Sequence, residues 1–206
     1  QGTVRKTRPC RITMAVDVSP SMTSLIDPVI QGIQKINQLL AEGDLISILD
    51  FAVDAKTIFP YLAPNKVDWS GLNKRLRNDI RSYGRGSGTA LWDAIAYLIT
   101  TVPRDFKYKE YKPELVIFTD GEDNRSRQYN HDSIQQLLKA PRLGHVHITI
   151  IDASRNGNSD LEAICSSIQH CTFTRVEASQ EAVQRVFVDV VNQITQRLTL
   201  VIQTTG

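Results

Sequence analysis

Short apolar runs alternate with segments of helical periodicity along almost the whole chain, and this alternation restricts the fold more than any other feature. Two of the runs, "RITMAVD" (11–17) and "ELVIFTD" (114–120), end on an aspartate. Apolar strands that are connected by helices predict a mostly parallel sheet with helices on both faces, a three-layer, doubly wound α/β architecture. Further strands are predicted at 44–55, 145–152 and 171–177.

One run departs from this parallel pattern. Pro60 lies inside the apolar run at 56–63, and proline cannot donate to a strand ladder, so this run is predicted to be an edge strand that pairs antiparallel after a tight turn. Apolar residues at helical spacing predict the connecting helices. These are expected at 22–41, 69–81, 91–102, 133–140, 160–169 and 179–195.

The outer segments are expected to lie outside the folded unit. The alternating pattern holds over 10–195, which we interpret as one domain, with 1–9 and 196–206 as flanking or linker segments of a larger protein. The closing run at 197–204 has the composition of a strand or of the start of such a linker.

Charge and hydropathy exclude two classes of partner. The formal net charge is only +2 and the pI about 8.5, which is far from the strongly basic character of a nucleic-acid-binding domain. No apolar stretch approaches the roughly 20 residues that a membrane-spanning helix requires. We therefore expect no nucleic-acid binding and no membrane insertion by this segment.

Oxygen-bearing side chains follow the two strands that end on aspartate. In "MAVDVSPSM", Asp17, Ser19 and Ser21 alternate, so an extended backbone turns their oxygens to one side. The glycine-rich "GSGTAL" holds Thr89, and Asp120 begins the loop after the later strand. Because ligands of open parallel sheets bind at the carboxyl ends of the strands, we expect Asp17 and Asp120 to meet there.

This set of donors has a definite chemistry and also ordinary alternatives. Two carboxylates and three hydroxyls are hard oxygen ligands that suit Mg²⁺, or Mn²⁺ or Ca²⁺, and do not suit zinc or copper. Taken singly, Ser19, Ser21 and Thr89 are typical helix caps, and Asp120 is a typical turn residue before Gly121. Their joint occurrence favours a metal site.

The five residues together resemble the metal-ion-dependent adhesion site of the von Willebrand factor A (vWA) family. Asp17-x-Ser19-x-Ser21, Thr89 in "GSGTAL" and Asp120 in "TDGEDN" match all five positions, in order and at spacings usual for the family. The resemblance extends over about residues 10–195 and implies a Rossmann-like fold. In the family the serine and threonine hydroxyls bind the metal directly, the aspartates act partly through water, and a partner's Glu or Asp carboxylate completes the coordination.

The resemblance implies a non-enzymatic, metal-dependent module that binds an acidic side chain of a partner protein. Gly88, Trp92 and Glu122 are expected at the rim of the site. Two alternatives use the same oxygen cage, a metal-assisted phosphoester hydrolase and a scaffold domain with a structural metal. The chain has no GxxxxGK[ST] loop, no glycines after the first strand for a dinucleotide, and no GxSxG context for Ser19.

Two features bear on the compartment. No CxxC pair occurs among the three cysteines, Cys10, Cys165 and Cys171. The ordinary interpretation is that they are buried, reduced thiols, and the alternative, in a secreted protein, is a Cys165–Cys171 disulfide. Val18 and Pro20 stand in the first motif where adhesion receptors of the family typically have glycine, and this form resembles bacterial and intracellular eukaryotic members. We expect a cytoplasmic location, with an extracellular one as the alternative.

Overall fold

A six-stranded sheet in the order β3-β2-β1-β4-β5-β6 forms the centre of the protein in a computed structural model that describes residues 9–83, 88–104, 106–121 and 123–198. All neighbouring strands pair parallel except β2 and β3, which pair antiparallel. The strands are β1 (Cys10–Asp17), β2 (Leu45–Phe51), β3 (Ala55–Leu62), β4 (Lys112–Thr119), β5 (His147–Asp152) and β6 (Cys171–Arg175).

Six α-helices of the described residues cover the two faces of this sheet. They are α1 (Ile26–Gln38), α2 (Trp69–Tyr83), α3 (Leu91–Thr101), α4 (His131–Leu138), α5 (Ser159–Ser166) and α6 (Gln180–Leu198). The apolar residues of α1, α2 and α6 pack in one buried cluster, and those of α3, α4 and α5 pack in a second. Among the described residues, no helix has the length and apolar character to span a membrane.

Alternation along the strands separates the two clusters. Met14 and Val16 of β1 belong to the α1/α2/α6 cluster, whereas Ala15 between them belongs to the α3/α4/α5 cluster. This is the period of two that an extended strand imposes on its side chains. On the first face, α1 and α6 approach closely because Gly32 has no side chain where the ring of Phe187 lies.

The predicted fold class is confirmed, including the antiparallel edge strand that contains Pro60. Most element boundaries differ from the predicted ones by one to three residues, and two were wrong by four. The strand predicted over 44–55 ends at Phe51, and a turn precedes β3 at Ala55. The helix predicted from residue 22 begins at Ile26, because a short 3₁₀ turn, Pro20–Ser24, comes first. The run at 197–204 continues α6 as far as Leu198, and the rest of it lies outside the described residues.

The strand order reverses at β1, and this position determines where a ligand can bind. From β1 the chain adds β2 and β3 on one side and β4, β5 and β6 on the other. The loops after β1 and β4 therefore diverge from neighbouring strands at the same edge of the sheet. In open α/β sheets the crevice at such a reversal is the usual ligand site.

Candidate metal centre

The loop after β1 places three oxygen-bearing side chains around the end of the strand. Asp17 is fully buried, and its Oδ1 accepts a hydrogen bond from the backbone N–H of Ser19 at 2.8 Å. Ser19 Oγ lies 3.1 Å from Ser21 Oγ. Pro20 begins the 3₁₀ turn, and the backbone N–H of Met22 donates to the Ser19 carbonyl at 3.0 Å. This turn holds both serine hydroxyls on the side of Asp17.

The loop after β4 brings Asp120 to the same place. Ser19 Oγ donates a hydrogen bond of 3.2 Å to Asp120 Oδ1, which joins residues 101 positions apart in the sequence. Thr119, the last residue of β4, donates from its Oγ1 to Asp17 Oδ2 at 2.8 Å. The two strand ends are thus connected by two hydrogen bonds between side chains.

Thr89 reaches the site from the segment before α3. A Cβ built on Gly121 would lie 3.4 Å from Thr89 Oγ1 and 3.8 Å from Asp17 Oδ2, so both oxygens border the space above Gly121. The backbone N–H of Thr89 donates to Asn124 Oδ1 at 2.9 Å, and the N–H of Asn124 donates to the Thr89 carbonyl at 3.1 Å. These reciprocal bonds hold the threonine against the loop after β4.

The electrostatics of this cluster are those of uncompensated negative charge. Burial, and then the charge of Asp120, raises the pKa of Asp17 to about 6, although hydrogen bonds from Ser19 and Thr119 oppose the shift. Burial also raises the pKa of Asp120, with a further contribution from Asp152. Within the described part of the chain, no lysine, arginine or histidine forms an ion pair with Asp17 or Asp120.

The donor set is compatible with a hard divalent cation. Buried carboxylates are stable when a positive charge compensates them, and a bound cation meets that need where no basic side chain does. The hydroxyls of Ser19, Ser21 and Thr89 complete a set made of oxygen alone. No group of three or more His, Cys, Asp or Glu side chains suited to a metal occurs among the described residues, so a metal here would depend on these hydroxyls.

The predicted rim residues have different positions. Gly88 lies against the loop after β4, where a side chain would collide with Asn124. The Trp92 side chain is largely buried, and its ring packs edge-on against His131 with centroids 6.3 Å apart. Trp92 also borders a polar cavity of about 210 Å³ together with Asp123 and residues 157–160. Glu122 lies outside the described residues.

Sequence reasoning missed several residues that build the site. Thr119 supports Asp17, and Asn124 holds Thr89, as described above. Asp93 accepts hydrogen bonds from the backbone N–H groups of residues 127, 128 and 129, and it thereby shapes the loop after β4.

Asp152 ends β5 as Asp17 ends β1, and this repeated pattern in the sequence could have indicated its structural role. Both of its oxygens accept backbone N–H groups, from Ser154 and Asn158.

The fold and the oxygen cluster define an α/β domain with a polar site at the reversal of strand order. The family model described as the von Willebrand factor type A domain matches residues 12–189. The chain therefore belongs to the vWA family. Domains of this family are generally protein-interaction modules rather than enzymes. No curated protein matches the chain significantly.

Solved structures with similar folds have low sequence identity to this chain. A von Willebrand factor type A protein from Catenulispora acidiphila has a TM-score of 0.66 at 12% identity, over 89% of this chain and 42% of its own. BatB from Bacteroides thetaiotaomicron has a TM-score of 0.60 at 16% identity, over 91% of this chain and 99% of its own. Proximal thread matrix protein 1 from the mussel byssus has a TM-score of 0.60 at 18% identity, over 97% of this chain and 49% of its own. The chain thus spans less than half of the Catenulispora and mussel proteins, and at these identities the likeness concerns the fold.

Proposed function

We propose that this domain binds a partner protein through a divalent cation, Mg²⁺ in the first place, held by Asp17, Ser19, Ser21, Thr89 and Asp120. Mn²⁺ and Ca²⁺ are compatible with the same oxygen donors. The partner contributes a Glu or Asp carboxylate as a ligand. The observation that carries this proposal is the pairing of the fully buried Asp17 with the partly buried Asp120, beside three hydroxyls, with no basic side chain of the described chain to neutralise the two carboxylates.

The protein's own residues have distinct roles in this proposal. Asp17 is positioned by Ser19 and Thr119 and supplies negative charge at the bottom of the site. The neutral hydroxyls of Ser19, Ser21 and Thr89 add ligands without adding charge. When bound, the cation supplies an electrophilic centre that attracts an anionic oxygen from outside the domain. A donor set with only two carboxylates leaves this attraction largely intact.

The binding of Mg²⁺ is expected to weaken in acid. The pKa of Asp17 is about 6 in the metal-free protein, so protons compete with the metal below that pH. Calorimetric titrations of Mg²⁺ into metal-stripped protein at pH 5, 6, 7 and 8 should show an affinity that increases to about pH 7 and then levels off. An affinity equal at pH 5 and pH 8 would contradict a role for Asp17 as a charged ligand.

Partner binding is tested by comparing captured proteins under matched conditions. Immobilised wild-type domain in Mg²⁺, the same domain in EDTA, and an Asp17→Ala domain in Mg²⁺ are exposed to the same extract, and bound proteins are quantified by mass spectrometry. We expect a partner that is retained only in the first condition. Replacing its interacting Glu or Asp by the amide should then remove most of the affinity, and undiminished binding would refute the coordination mechanism.

The two alternative functions give different results with the same proteins. A metal-assisted hydrolase would turn over p-nitrophenyl phosphate in Mg²⁺, and the Asp17→Ala domain would lose that turnover. A structural metal would raise the melting temperature of the wild type while partner binding persisted in EDTA. Under our proposal, turnover is absent and EDTA releases the partner.

A further inference from the structure

Two thiols meet where α5 is followed by β6, outside the candidate metal centre. Cys165 lies near the end of α5, and Cys171 is the first residue of β6. Cys171 Sγ and Cys165 Sγ are in contact, with the sulfur atoms 2.7 Å apart. Both cysteines carry free thiols in this structure. A disulfide bond requires a sulfur separation of about 2.05 Å, so only a small approach separates this pair from a covalent bond.

Packing places the pair on one face of the sheet and the third cysteine on the other. Cys165 is 2% exposed within the cluster formed by α3, α4 and α5, and Cys171 is half-buried against the same cluster. Cys10 is fully buried in the cluster on the opposite face of the sheet. The turn between the two elements is closed by a hydrogen bond of 3.2 Å from the Cys171 backbone N–H to the Ile168 carbonyl. The backbone therefore holds both thiols in place.

We propose that Cys165 and Cys171 are a redox modification site, at which a low-molecular-weight disulfide such as glutathione disulfide converts the thiol pair into a reversible disulfide joining α5 to β6. Closing the bond encloses a loop of seven residues, 165–171. The site is independent of the proposed metal function. The metal centre lies beyond the carboxyl ends of β1 and β4, whereas Cys171 begins its strand at the other edge of the parallel sheet.

The reaction proceeds by two thiol–disulfide exchanges. Cys171, the more accessible thiol, loses its proton and attacks one sulfur of glutathione disulfide, which forms a mixed disulfide and releases one glutathione. Cys165 then loses its proton and attacks the Cys171 sulfur, which forms the intrachain bond and releases the second glutathione. The two protein thiols are oxidised by two electrons in total, and one glutathione disulfide is reduced to two glutathione molecules.

The order of these steps follows from the surroundings of the two sulfurs. The contact with Cys171, together with burial, raises the pKa of Cys165 above its ordinary value. Because the thiolate is the nucleophile, Cys165 reacts slowly with a reagent in solution. It reacts readily with a mixed disulfide on Cys171, because that sulfur is already in contact with it.

The test uses the whole chain, reduced and then equilibrated with glutathione buffers of increasing oxidising strength. After denaturation in the presence of an alkylating agent, the number of alkylated thiols should decrease from three to one. The intact mass of the oxidised protein before alkylation should be lower by two hydrogen atoms. Peptide mapping should find Cys165 linked to Cys171. Closing a loop of this length should raise the melting temperature by about 5 °C, reversibly on reduction. Three remaining thiols in the most oxidising buffer, or a stable glutathione adduct on the wild type, would overturn the proposal.

Variants that each lack one cysteine give the matched controls. Cys10→Ser should still lose both remaining thiols on oxidation. Cys165→Ala retains the accessible thiol without its neighbour, and it should accumulate one glutathione on Cys171. Circular dichroism of each reduced variant verifies the fold. If Cys165→Ala were oxidised as fully as the wild type and carried no glutathione, the disulfide would have to join Cys10 to Cys171. That result would refute the proposed Cys165–Cys171 pair. Mg²⁺ titration of both redox forms of the wild type keeps this result separate from the metal proposal, because we expect the same affinity in both.

Discussion

Replacing Thr89 by alanine is expected to lower the affinity for Mg²⁺ by more than about 100-fold while the domain remains folded. The substitution removes only the Oγ1 atom that borders the space shared with Asp17, together with one methyl group. The bonds that Thr89 makes with Asn124 use its backbone N–H and carbonyl, which alanine retains. The loop should therefore keep its place and lose one donor.

A neighbouring threonine provides the matched control. Thr23 lies in the 3₁₀ turn after the serines, is exposed, and donates from its Oγ1 to the Pro20 carbonyl. Thr23→Ala removes the same atoms close to the site without touching the proposed donor set, and its Mg²⁺ affinity should equal that of the wild type. Calorimetric titration into metal-stripped protein measures all three. Equal affinity of Thr89→Ala and the wild type would remove Thr89 from the site, and unfolding of the variant would assign it a structural role.

Replacing Asp50 by asparagine is expected to stabilise the domain at pH 8, with a rise of several degrees in melting temperature. Asp50 is fully buried in β2, close to the Asp79 carboxylate on α2. Burial, and then the Asp79 carboxylate on α2, raises its pKa from 3.8 to about 8. Above that pH the folded protein must hold a buried negative charge near a second carboxylate, which is costly even with Arg75 and Lys56 in the vicinity.

The direction of the pH effect follows from the raised pKa. In the unfolded chain Asp50 has its ordinary pKa of about 4, so the folded state binds one more proton than the unfolded state between pH 4 and pH 8. The stability contributed by this proton is fully present below about pH 4 and is lost as the pH rises through about 8. The side-chain amide of the Asp50→Asn variant does not titrate, so this contribution to the change of stability with pH is missing in the variant.

Thermal unfolding at pH 5 and pH 8, in EDTA, distinguishes this group from other acids. Asp17, Asp120 and Glu114 also have raised pKa values, so the wild type should lose stability with rising pH for several reasons. The Asp50→Asn variant should lose less than the wild type over the same interval. Asp189→Asn, which neutralises an exposed carboxylate on α6, serves as the control and should follow the wild type. Parallel behaviour of Asp50→Asn and the wild type would show that Asp50 titrates normally.

The strands were the part of the fold that sequence patterns predicted best. A strand buried on both faces is mostly apolar, so the runs that became β1 and β4 were recognisable without any knowledge of their neighbours. Helix starts were harder to place. At Pro20–Ser24 the chain makes a 3₁₀ turn before α1, and the apolar spacing of Leu25 and Val29 continues across the junction. Periodicity alone cannot distinguish these two kinds of helix.

For the candidate site, sequence patterns proposed a set of donors and did not indicate the residues that position them. The five proposed ligands stand in an ordered pattern, whereas Thr119, Asn124 and Asp93 act through hydrogen bonds to backbone or carboxylate groups 34 to 102 residues away. Such bonds depend on which loops lie side by side, and the residue types alone do not indicate them. The metal itself and the acidic partner remain predictions.

The sequence by itself determined the order of strands and helices, the family, and the oxygen chemistry available after β1 and β4, because these depend on residue type and local spacing. Only the tertiary structure decided which side chains share a space. It placed Ser19 against Asp120, set the buried Asp50 near Asp79, and brought Cys171 into contact with Cys165. The physical reason is that pairing of strands and packing of helices bring together groups that are distant along the chain, and burial then makes the charge or reactivity of each depend on its neighbours.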